Sequence, residues 1–309
     1  MSKIATREAY GKALVKLGKI NDDVVVLDAD LSKSTKTNDF LKAYPNRFFN
    51  MGIAEQNLVG AACGFAAAGK IPFASTFAMF ATGRAFEVIR NSVCYPKLNV
   101  KICATHAGIT VGEDGGSHQS VEDISLMRSI PNMTVVVPAD GVEAEKMIFA
   151  AAEFNGPMYV RLGRSAVPTI FEEDYNFEIG KGVVLREGND ATIIACGIMV
   201  NEAIIAADML KEENINVRVI NMSTIKPIDT ELIIKAAKET KAIITAEEHS
   251  IIGGLGSAVS EVVSENHPTI VKKVGVNDSF GESGTPTELL EKYGLNAKNI
   301  VEKVKEALN

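Results

Sequence analysis

Three separated stretches of the chain carry side chains of the types needed to bind a flat, titratable ligand. Glu55 is an isolated acid at the start of a nearly uncharged segment, and Phe77 and Phe80 lie three residues apart just after an apolar run. The segment Gly112–Gln119 adds polar and titratable groups between glycines. An acid, an aromatic pair and a histidine loop indicate a heterocyclic cofactor whose ring nitrogen must be protonated.

The first two of these features also have plainer explanations. The residues from Gln56 to Gly69 carry no charge, so Glu55 can simply stabilise the positive end of a helix dipole. Two phenylalanines at the spacing of Phe77 and Phe80 usually pack into a core. This pair, however, follows a predicted strand and precedes a predicted helix, where the two rings can sandwich a flat heterocycle in a pocket at the strand end.

The loop Gly112–Gln119 is the most specific of the three stretches. Its glycines permit tight or left-handed turns, and Asp114 and His118 can project into one space. His106 ends the preceding predicted strand, where it is either a turn anchor or part of the same polar cluster. Three arginines can hold a phosphate, although each can equally be a surface charge: Arg7, Arg161 and Arg164.

These residues can form one site only if the fold brings the ends of their strands together. Short apolar runs alternate with amphipathic segments, which predicts an α/β fold with a parallel sheet and helices on both faces. Ligands of such sheets lie at the carboxyl ends of the strands. In the first half of the chain we predict strands at 24–27, 48–51, 71–75, 100–106, 134–138 and 158–162. We predict helices at 6–17, 55–69, 121–130 and 142–154, and a further helix that Thr82 caps and that ends near Cys94.

An acidic, irregular stretch separates two α/β units. We expect a first domain over 1–167, a linker over 168–188 and a smaller second domain over 189–309 with a mostly parallel sheet. The second domain is predicted to have strands at 191–195, 217–221, 242–246 and 269–275. Its predicted helices are 200–210, 230–240 and 254–264, followed by terminal helices from Thr287 and Ala297.

Composition argues against several classes of protein. The chain of 309 residues has a formal net charge of −7 and no basic surplus with which to neutralise the phosphates of a nucleic acid. No apolar window is long enough to span a membrane, and the first residues have no signal-peptide core. Four cysteines without CxxC spacing indicate buried free thiols of a cytoplasmic protein and no metal site: Cys63, Cys94, Cys103 and Cys196.

Taken in order, the motifs resemble the C-terminal half of transketolase over nearly the whole chain. The segments that carry the resemblance are Gly52–Gln56, Ser75–Phe80, Thr105–Gln119, Pro138–Gly141, Arg161–Arg164 and His249–Gly256. The resemblance implies a pyrimidine-binding domain over 1–167 and the transketolase C-terminal domain over 189–309. It also implies thiamine diphosphate as cofactor and transfer of a two-carbon ketol group between ketose and aldose phosphates, as in the pentose phosphate pathway.

The resemblance assigns cofactor-binding roles to four residues. In the family, the residue that matches Glu55 hydrogen-bonds a ring nitrogen of the aminopyrimidine and promotes activation of the cofactor, so Glu55 is expected to be catalytic. The residues that match Phe77 and Phe80 pack on the pyrimidine. The residue that matches Asp30 faces the cofactor from across a subunit interface.

The resemblance also assigns substrate-binding roles. The position of His118 handles protons of the donor hydroxyl groups, and that of Asp114 reads the hydroxyl configuration beside the carbonyl. His106 is expected to be both catalytic and a phosphate ligand. The full set of phosphate ligands is Arg7, Ser34, His106 and Arg164. Spacing as in the family supports two of them, because Arg7 precedes Asp30 by 23 residues and Ser34 follows Asp30 by four.

The sequence departs from the family pattern in three respects. A third aromatic is replaced by Thr82 and Gly83, and Gly116-Ser117 stands where Pro-Thr is common. The Gly-Asp-Gly motif that binds the diphosphate and its metal is missing, and the sequence begins where the two halves of the family's polypeptide meet. We therefore expect a split transketolase. An N-terminal subunit would supply the diphosphate site and hold Mg²⁺ or Ca²⁺, in an α2β2 assembly.

Three rival functions share much of this pattern. The β-subunit of a 2-oxo-acid dehydrogenase has the same architecture and glutamate, but a different His-Ser-Gln segment in place of Gly112–Gln119. A deoxyxylulose phosphate synthase has a similar loop, but normally keeps both halves in one chain. A non-catalytic assembly subunit would be expected to have lost Glu55 or His118, and both are present.

Overall fold

Fourteen strands and twelve α-helices make up the part of the chain that the computed structural model describes, residues 2–309. The strands are β1 (Lys3–Ala5), β2 (Val24–Asp28), β3 (Phe48–Asn50), β4 (Ile71–Phe77), β5 (Lys101–Thr105), β6 (Thr134–Val136), β7 (Met158–Arg161), β8 (Ala166–Pro168), β9 (Val183–Arg186), β10 (Ala191–Ala195), β11 (Val217–Asn221), β12 (Thr224–Lys226), β13 (Ala242–Ser250) and β14 (Ile270–Val276). The helices are α1 (Thr6–Ile20), α2 (Ser32–Thr35), α3 (Asn38–Ala43), α4 (Glu55–Ala67), α5 (Phe86–Val88), α6 (Asp123–Ser129), α7 (Gly141–Glu153), α8 (Met199–Glu212), α9 (Thr230–Glu239), α10 (Leu255–Asn266), α11 (Pro286–Lys292) and α12 (Ala297–Leu308).

The larger sheet has seven strands in the order β12, β6, β7, β5, β4, β2, β3. Every neighbouring pair is parallel except β12 with β6. Helices α1 and α7 cover one face, where Tyr10, Phe73 and Met147 are buried. Helices α4 and α6 cover the other face, where Leu58 and Ile124 are buried. The predicted two-domain α/β fold is therefore confirmed.

The second sheet has five strands in the order β14, β13, β10, β11, β9, and only β9 is antiparallel to its neighbour. Strand β9 lies inside the segment 168–188 that we expected to be irregular, and the apolar run Val183–Leu185 explains its pairing. The short strands β1 and β8 pair separately. The domain boundaries at 167 and 189 stay predictions.

The two sheets are joined by β12, which follows β11 of the second sheet and adds to the edge of the first. Lys226 ends this strand, and its ammonium donates to the carbonyl oxygens of Arg128 and Ile130 at 2.9 and 2.6 Å. Sequence periodicity did not predict β12, because three residues are too few to establish a pattern. No helix among residues 2–309 has the length and apolar character needed to cross a membrane.

The helical segment after β4 differs from the prediction at its start. Thr82 does not cap a helix, since its hydroxyl donates at 2.8 Å to the carbonyl oxygen of Ala78, one turn earlier. The residues Phe80–Arg84 and Ile89–Cys94 have the wider π-helical turn, on either side of α5. Such turns occur often at functional sites, and this one brings Arg84 towards α4.

Candidate active site

The candidate site lies at the carboxyl ends of three adjacent parallel strands. Strand β4 pairs with β2 and with β5, so Asp28 lies beside Ser75, and Phe77 lies beside Thr105. Phe77 is the last residue of β4 and His106 follows β5 directly. The sequence places these residues far apart, and parallel pairing brings them together, as is usual for ligand sites of open α/β sheets.

Glu55 is buried at the first turn of α4, with 1% of its surface exposed. Its Oε2 accepts a hydrogen bond of 2.7 Å from Nη1 of Arg84, and the Arg84 guanidinium carbon lies 4.8 Å from the centroid of the Phe80 ring. Arg84 therefore fixes one carboxylate oxygen and leaves Oε1 for a ligand. Sequence analysis missed Arg84, because an arginine on a helix is normally a surface charge.

The two phenyl rings stack on each other. The centroids of Phe77 and Phe80 are 6.0 Å apart, with 15° between the ring planes. A ring inserted between two others needs a separation of about 7 Å, twice the van der Waals contact distance, so these rings would have to part by about 1 Å to hold a heterocycle between them. The sandwich stays a prediction. In the described arrangement a flat ligand would meet the outer side of this aromatic pair.

His106 lies against the other face of Phe77, with ring centroids 3.8 Å apart and planes 23° apart. Its Nε2 accepts from Nη1 of Arg7 at 3.2 Å, and because an arginine can only donate, the proton is on Nδ1, 2.8 Å from Oγ1 of Thr105. Burial and the nearby charges of Arg7 and Arg164 lower the pKa of His106 to about 3. His106 is therefore a neutral side chain held by hydrogen bonds at both ring nitrogens.

The predicted anion ligands gather around His106. Arg7 donates at 2.8 Å to the carbonyl oxygen of Ser34, and its Nε is buried without a hydrogen-bond partner among residues 2–309. Burial and the charge of Arg164 lower the pKa of Arg7. Arg164 bonds the Val111 carbonyl oxygen and, at 3.1 Å, a carboxylate oxygen of Glu113. Two guanidinium groups and an unused donor make this end of the site suitable for an oxyanion.

Arg161 does not belong to this group. It is buried and forms a bidentate ion pair with Asp123, from Nε at 2.7 Å and from Nη2 at 3.1 Å. Nη2 also donates at 2.9 Å to the carbonyl oxygen of Glu248 in the second domain. Arg161 was one of three candidate phosphate partners, and its carboxylate partner removes it from that role. Asp123 precedes Arg161 by 38 residues, so no local sequence pattern indicates this pair.

His118 faces the aromatic pair edge-on. The centroid of its ring lies 5.3 Å from that of Phe80 and 6.4 Å from that of Phe77. Nδ1 of His118 lies 3.0 Å from the hydroxyl oxygen of Ser117, which leaves Nε2 for a ligand. The structure thus brings His118, His106, the two phenylalanines and Glu55 into one connected surface.

Two predicted residues lie outside this connected surface. Asp114 is exposed on the loop and its carboxylate has no hydrogen-bond partner among the described residues. Asp30 is also exposed, has a left-handed φ of 64° and accepts a hydrogen bond of 2.8 Å from Asn50. The buried carboxylate at this strand end is Asp28, which accepts from the hydroxyls of Thr35 and Thr37 and so shapes the turn. Sequence analysis missed this structural role.

The residues present fit one part of thiamine diphosphate. A buried carboxylate with one free oxygen beside an aromatic surface suits an aminopyrimidine, whose ring nitrogen needs a hydrogen-bond partner. The arginine pair suits an anionic group of a substrate. Among residues 2–309 no three His, Cys, Asp or Glu side chains are grouped so as to hold a metal ion. The described residues therefore fit the ring of the cofactor.

Models of two protein families match the chain. The transketolase pyrimidine binding domain matches residues 2–169, and the transketolase C-terminal domain matches residues 180–300.

Similar proteins cover nearly the whole chain. A protein of Methanocaldococcus jannaschii named "Putative transketolase C-terminal section" is 53% identical over 98% of this chain and 96% of its own length. The 6-deoxy-6-sulfo-D-fructose transketolase subunit SqwH of Clostridium sp. is 43% identical over 96% of this chain and 92% of its own length. Human transketolase is 41% identical over 98% of this chain, which spans 49% of the human protein.

A solved structure described as a split gene transketolase, inactive beta4 tetramer, is similar to this fold with a TM-score of 0.93. It is 63% identical in sequence, and the match covers 99% of this chain and 98% of that one.

Proposed function

Because the chain belongs to the transketolase family, we propose that it is the C-terminal subunit of a split, thiamine diphosphate-dependent transketolase. Together with an N-terminal subunit it transfers a two-carbon ketol group between ketose and aldose phosphates. The N-terminal subunit binds the diphosphate and holds Mg²⁺ or Ca²⁺. The names of the similar proteins, a C-terminal section, a subunit and a split gene product, support the division between two chains.

The observation that carries this proposal is the buried Glu55 carboxylate beside the Phe77–Phe80 pair. Arg84 occupies Oε2, so Oε1 is the atom that would hold the ring nitrogen of the aminopyrimidine. The exposed surface of the aromatic pair supports the ring and excludes water from it. When bound, thiamine diphosphate would supply a nucleophilic carbon for addition to the ketose carbonyl. Glu55 holds the proton at the ring nitrogen, where it favours the tautomer that the chemistry requires.

The histidine loop acts on the sugar. Nε2 of His118 accepts and returns protons of the donor hydroxyl groups, while the Ser117 hydroxyl holds Nδ1. Asp114 reads the configuration of the hydroxyl beside the carbonyl. Asp30 faces the cofactor at the interface with the other subunit, which agrees with its exposure.

The anionic end of the sugar binds at Arg7, Arg164 and neutral His106, with Ser34 at the margin. The unpartnered Nε of Arg7 supports this role, since a buried donor without an acceptor is costly unless a ligand supplies one. The relative named for a 6-deoxy-6-sulfo sugar makes a sulfonate a second candidate for the anion. Its oxygens accept the same hydrogen bonds as a phosphate.

We further propose an α2β2 assembly, because a cofactor shared between two different chains favours a symmetric pair of pairs. The similar structure titled an inactive beta4 tetramer supports the view that chains of this kind need a different subunit for activity. A cytoplasmic location is proposed from the four free and buried cysteines.

The proposal is tested by reconstitution. The purified chain and the candidate N-terminal subunit are assayed separately and mixed, with thiamine diphosphate and Mg²⁺, for ketol transfer from a ketose phosphate to an aldose phosphate. We expect activity only in the mixture. A mixture that contains the Glu55→Ala chain controls for activity of the other subunit alone. Turnover by the single chain, or an inactive mixture in which both subunits bind each other and the cofactor, would contradict the proposal.

The same mixture separates the rival functions. Offered a 2-oxo acid with an electron acceptor, it should not react, whereas a dehydrogenase β-subunit would. Offered pyruvate and glyceraldehyde 3-phosphate, it should not release carbon dioxide, whereas a deoxyxylulose phosphate synthase would. A 6-sulfo sugar in place of the 6-phosphate tests which anion the arginines prefer.

A further inference from the structure

The loop Gly108–Gln119, which carries His118 and Asp114, has little regular structure to hold it in place. Its only helical part is the 3₁₀ segment Ile109–Asp114, and Gly112 interrupts this segment with φ 84° and ψ −125°. A loop without a hydrogen-bonded ladder on either side needs contacts from elsewhere to keep one conformation.

Gln119 ties this loop to itself and to the second domain. Its side chain is buried, and Nε2 lies within 3.1 Å of the carbonyl oxygens of both Ile109 and Gly112. The same Nε2 lies 2.9 Å from the carbonyl oxygen of Glu282, which belongs to the C-terminal domain. One buried amide therefore joins two points of the loop to a different domain.

The outer surface of the loop is covered by the segment 277–286 of the C-terminal domain. A Cβ atom on Gly116 would lie 2.6 Å from the carbonyl oxygen of Gly281, and a Cβ atom on Gly281 would lie 1.8 Å from Oε1 of Gln119. A Cβ atom on Gly115 would lie 2.6 Å from the hydroxyl oxygen of Ser283. These spacings leave no room for side chains, so the two segments interlock along their backbones.

Glu248 of β13 supports the other end of the loop. Its carboxylate is buried and accepts a hydrogen bond of 2.7 Å from the amide of Thr110. A Cβ atom on Gly108 would lie 2.2 Å from its carboxyl carbon, so the loop backbone lies directly on this carboxylate. Arg161, which is paired with Asp123, holds β13 in place by donating a hydrogen bond to the carbonyl oxygen of Glu248.

We propose that the C-terminal domain serves as the support that holds the loop Gly108–Gln119 in its active shape, with Gln119 and Glu248 as positioning residues for His118 and Asp114. Neither residue touches the aromatic pair or Glu55. The domain thus acts on the sugar end of the reaction and not on the pyrimidine end. The catalytic part of this inference rests on the proposed function, whereas the structural part can be measured on the chain alone.

The structural part is tested by hydrogen–deuterium exchange of the single chain. We expect Gln119→Ala to speed exchange in the loop peptide at least about tenfold, because it removes three contacts, while peptides of α4 stay unchanged. Asn221→Ala is the matched control. It removes another buried amide, one bonded to Glu143 at 2.8 Å and not to the loop. Unchanged loop exchange in Gln119→Ala, or equally faster exchange in Asn221→Ala, would overturn the inference.

The catalytic part uses the reconstituted complex and two readouts. For Gln119→Ala we expect kcat/KM for ketol transfer to fall about 10- to 100-fold, since small misplacements of catalytic groups have effects of this size. The dissociation constant of thiamine diphosphate, measured by calorimetry, and the exchange rate of its thiazolium C2 proton should stay within about twofold of the wild-type complex. If the dissociation constant rises and the C2 exchange rate falls by factors similar to the loss in kcat/KM, the residue supports the whole fold and the inference is wrong.

Three further variants keep the test independent of whether Gln119→Ala folds: Gly281→Ala, Glu248→Gln and Glu248→Ala. Gly281→Ala pushes on Gln119 from the C-terminal domain and should reproduce both results. Glu248→Gln retains an acceptor for the Thr110 amide and should keep most of the activity that Glu248→Ala loses. Wild-type kcat/KM in Gly281→Ala would contradict the inference. A wild-type complex without any ketol transfer would refute the proposed function but leave the exchange experiment valid.

Discussion

The two halves of the candidate site are built differently. The pyrimidine end comes from α4, β4 and the π-helical turn of one domain. It is open to solvent, since Ile53 beside it is 80% exposed and the side chain of Arg84 is 52% exposed. The sugar end, the loop Gly108–Gln119, is supported by the chain's own C-terminal domain through Gln119 and Glu248, while its Asp114 stays exposed. The chain thus completes one half by itself and leaves the other open, as expected of a half that another subunit must cover.

The largest effect should come from the pyrimidine end. Glu55→Ala in the reconstituted complex should lower kcat by at least about 10³-fold, because loss of a general acid–base group has effects of 10²–10⁴. The exposed acid Glu302 of α12 provides the control Glu302→Ala, for which we expect unchanged kcat. Circular dichroism should show an intact fold in both variants. Near-normal turnover of Glu55→Ala would show that the open half is not the catalytic half.

Arg84→Gln should have the next largest effect. Without Arg84 the Glu55 carboxylate loses its fixed orientation, so we expect kcat to fall about tenfold with little change in the KM for either sugar. Arg90→Gln is the control, since Arg90 is exposed, lies in the next π-helical segment Ile89–Cys94, and donates a hydrogen bond to the exposed side chain of Asn91. A rise in activity in Arg84→Gln would instead mean that the guanidinium blocks access of the cofactor ring to the Phe77–Phe80 pair.

The anion end should respond in binding rather than in turnover. His106→Ala should raise the KM for phosphorylated sugars about tenfold and leave kcat within about threefold, because a uniformly bound anion contributes equally to ground and transition states. The same variant should leave the KM for a sugar without phosphate unchanged. An equal rise in KM with both sugars would show that His106 shapes the loop and does not meet the phosphate.

Features of the site that depend on local sequence patterns could be predicted, whereas features that depend on residues distant in the chain could not. Strands β4 and β5 were legible as apolar runs, and their parallel pairing was enough to bring Phe77 and His106 together. Arg84 reaches Glu55 only because of a π-helical turn, and Arg161 is turned away by a distant acid. Gln119 looked like one polar residue of a loop motif. Its role depends on the Glu282 carbonyl oxygen from the other domain, which no local pattern encodes.

The pKa of His106 predicts how stability depends on pH. The folded-state pKa of about 3 lies below the usual value of 6.5 for an unfolded chain, so between these values the unfolded chain binds a proton that the folded chain does not. This contribution to stability is present above pH 6.5 and is lost as the pH falls, by up to ~1.4 kcal/mol per pH unit. In urea unfolding, the stability advantage of wild type over His106→Gln should therefore shrink from neutral pH towards pH 5. A constant advantage would show that the pKa of His106 is the same in the folded and the unfolded chain.

Ser34→Ala should have the smallest effect and tests the margin of the site that binds the anionic end of the sugar. Arg7 bonds the backbone carbonyl oxygen of Ser34, at 2.8 Å, and that acceptor survives removal of the hydroxyl. We therefore expect the KM for a sugar phosphate to rise no more than about threefold, the equivalent of one modest hydrogen bond. Ser32→Ala in the same short helix is the control and should not change the KM. A rise in KM as large as that of His106→Ala would mean that the Ser34 hydroxyl itself binds the phosphate, and that the anion site has a direct ligand beyond Arg7, Arg164 and His106.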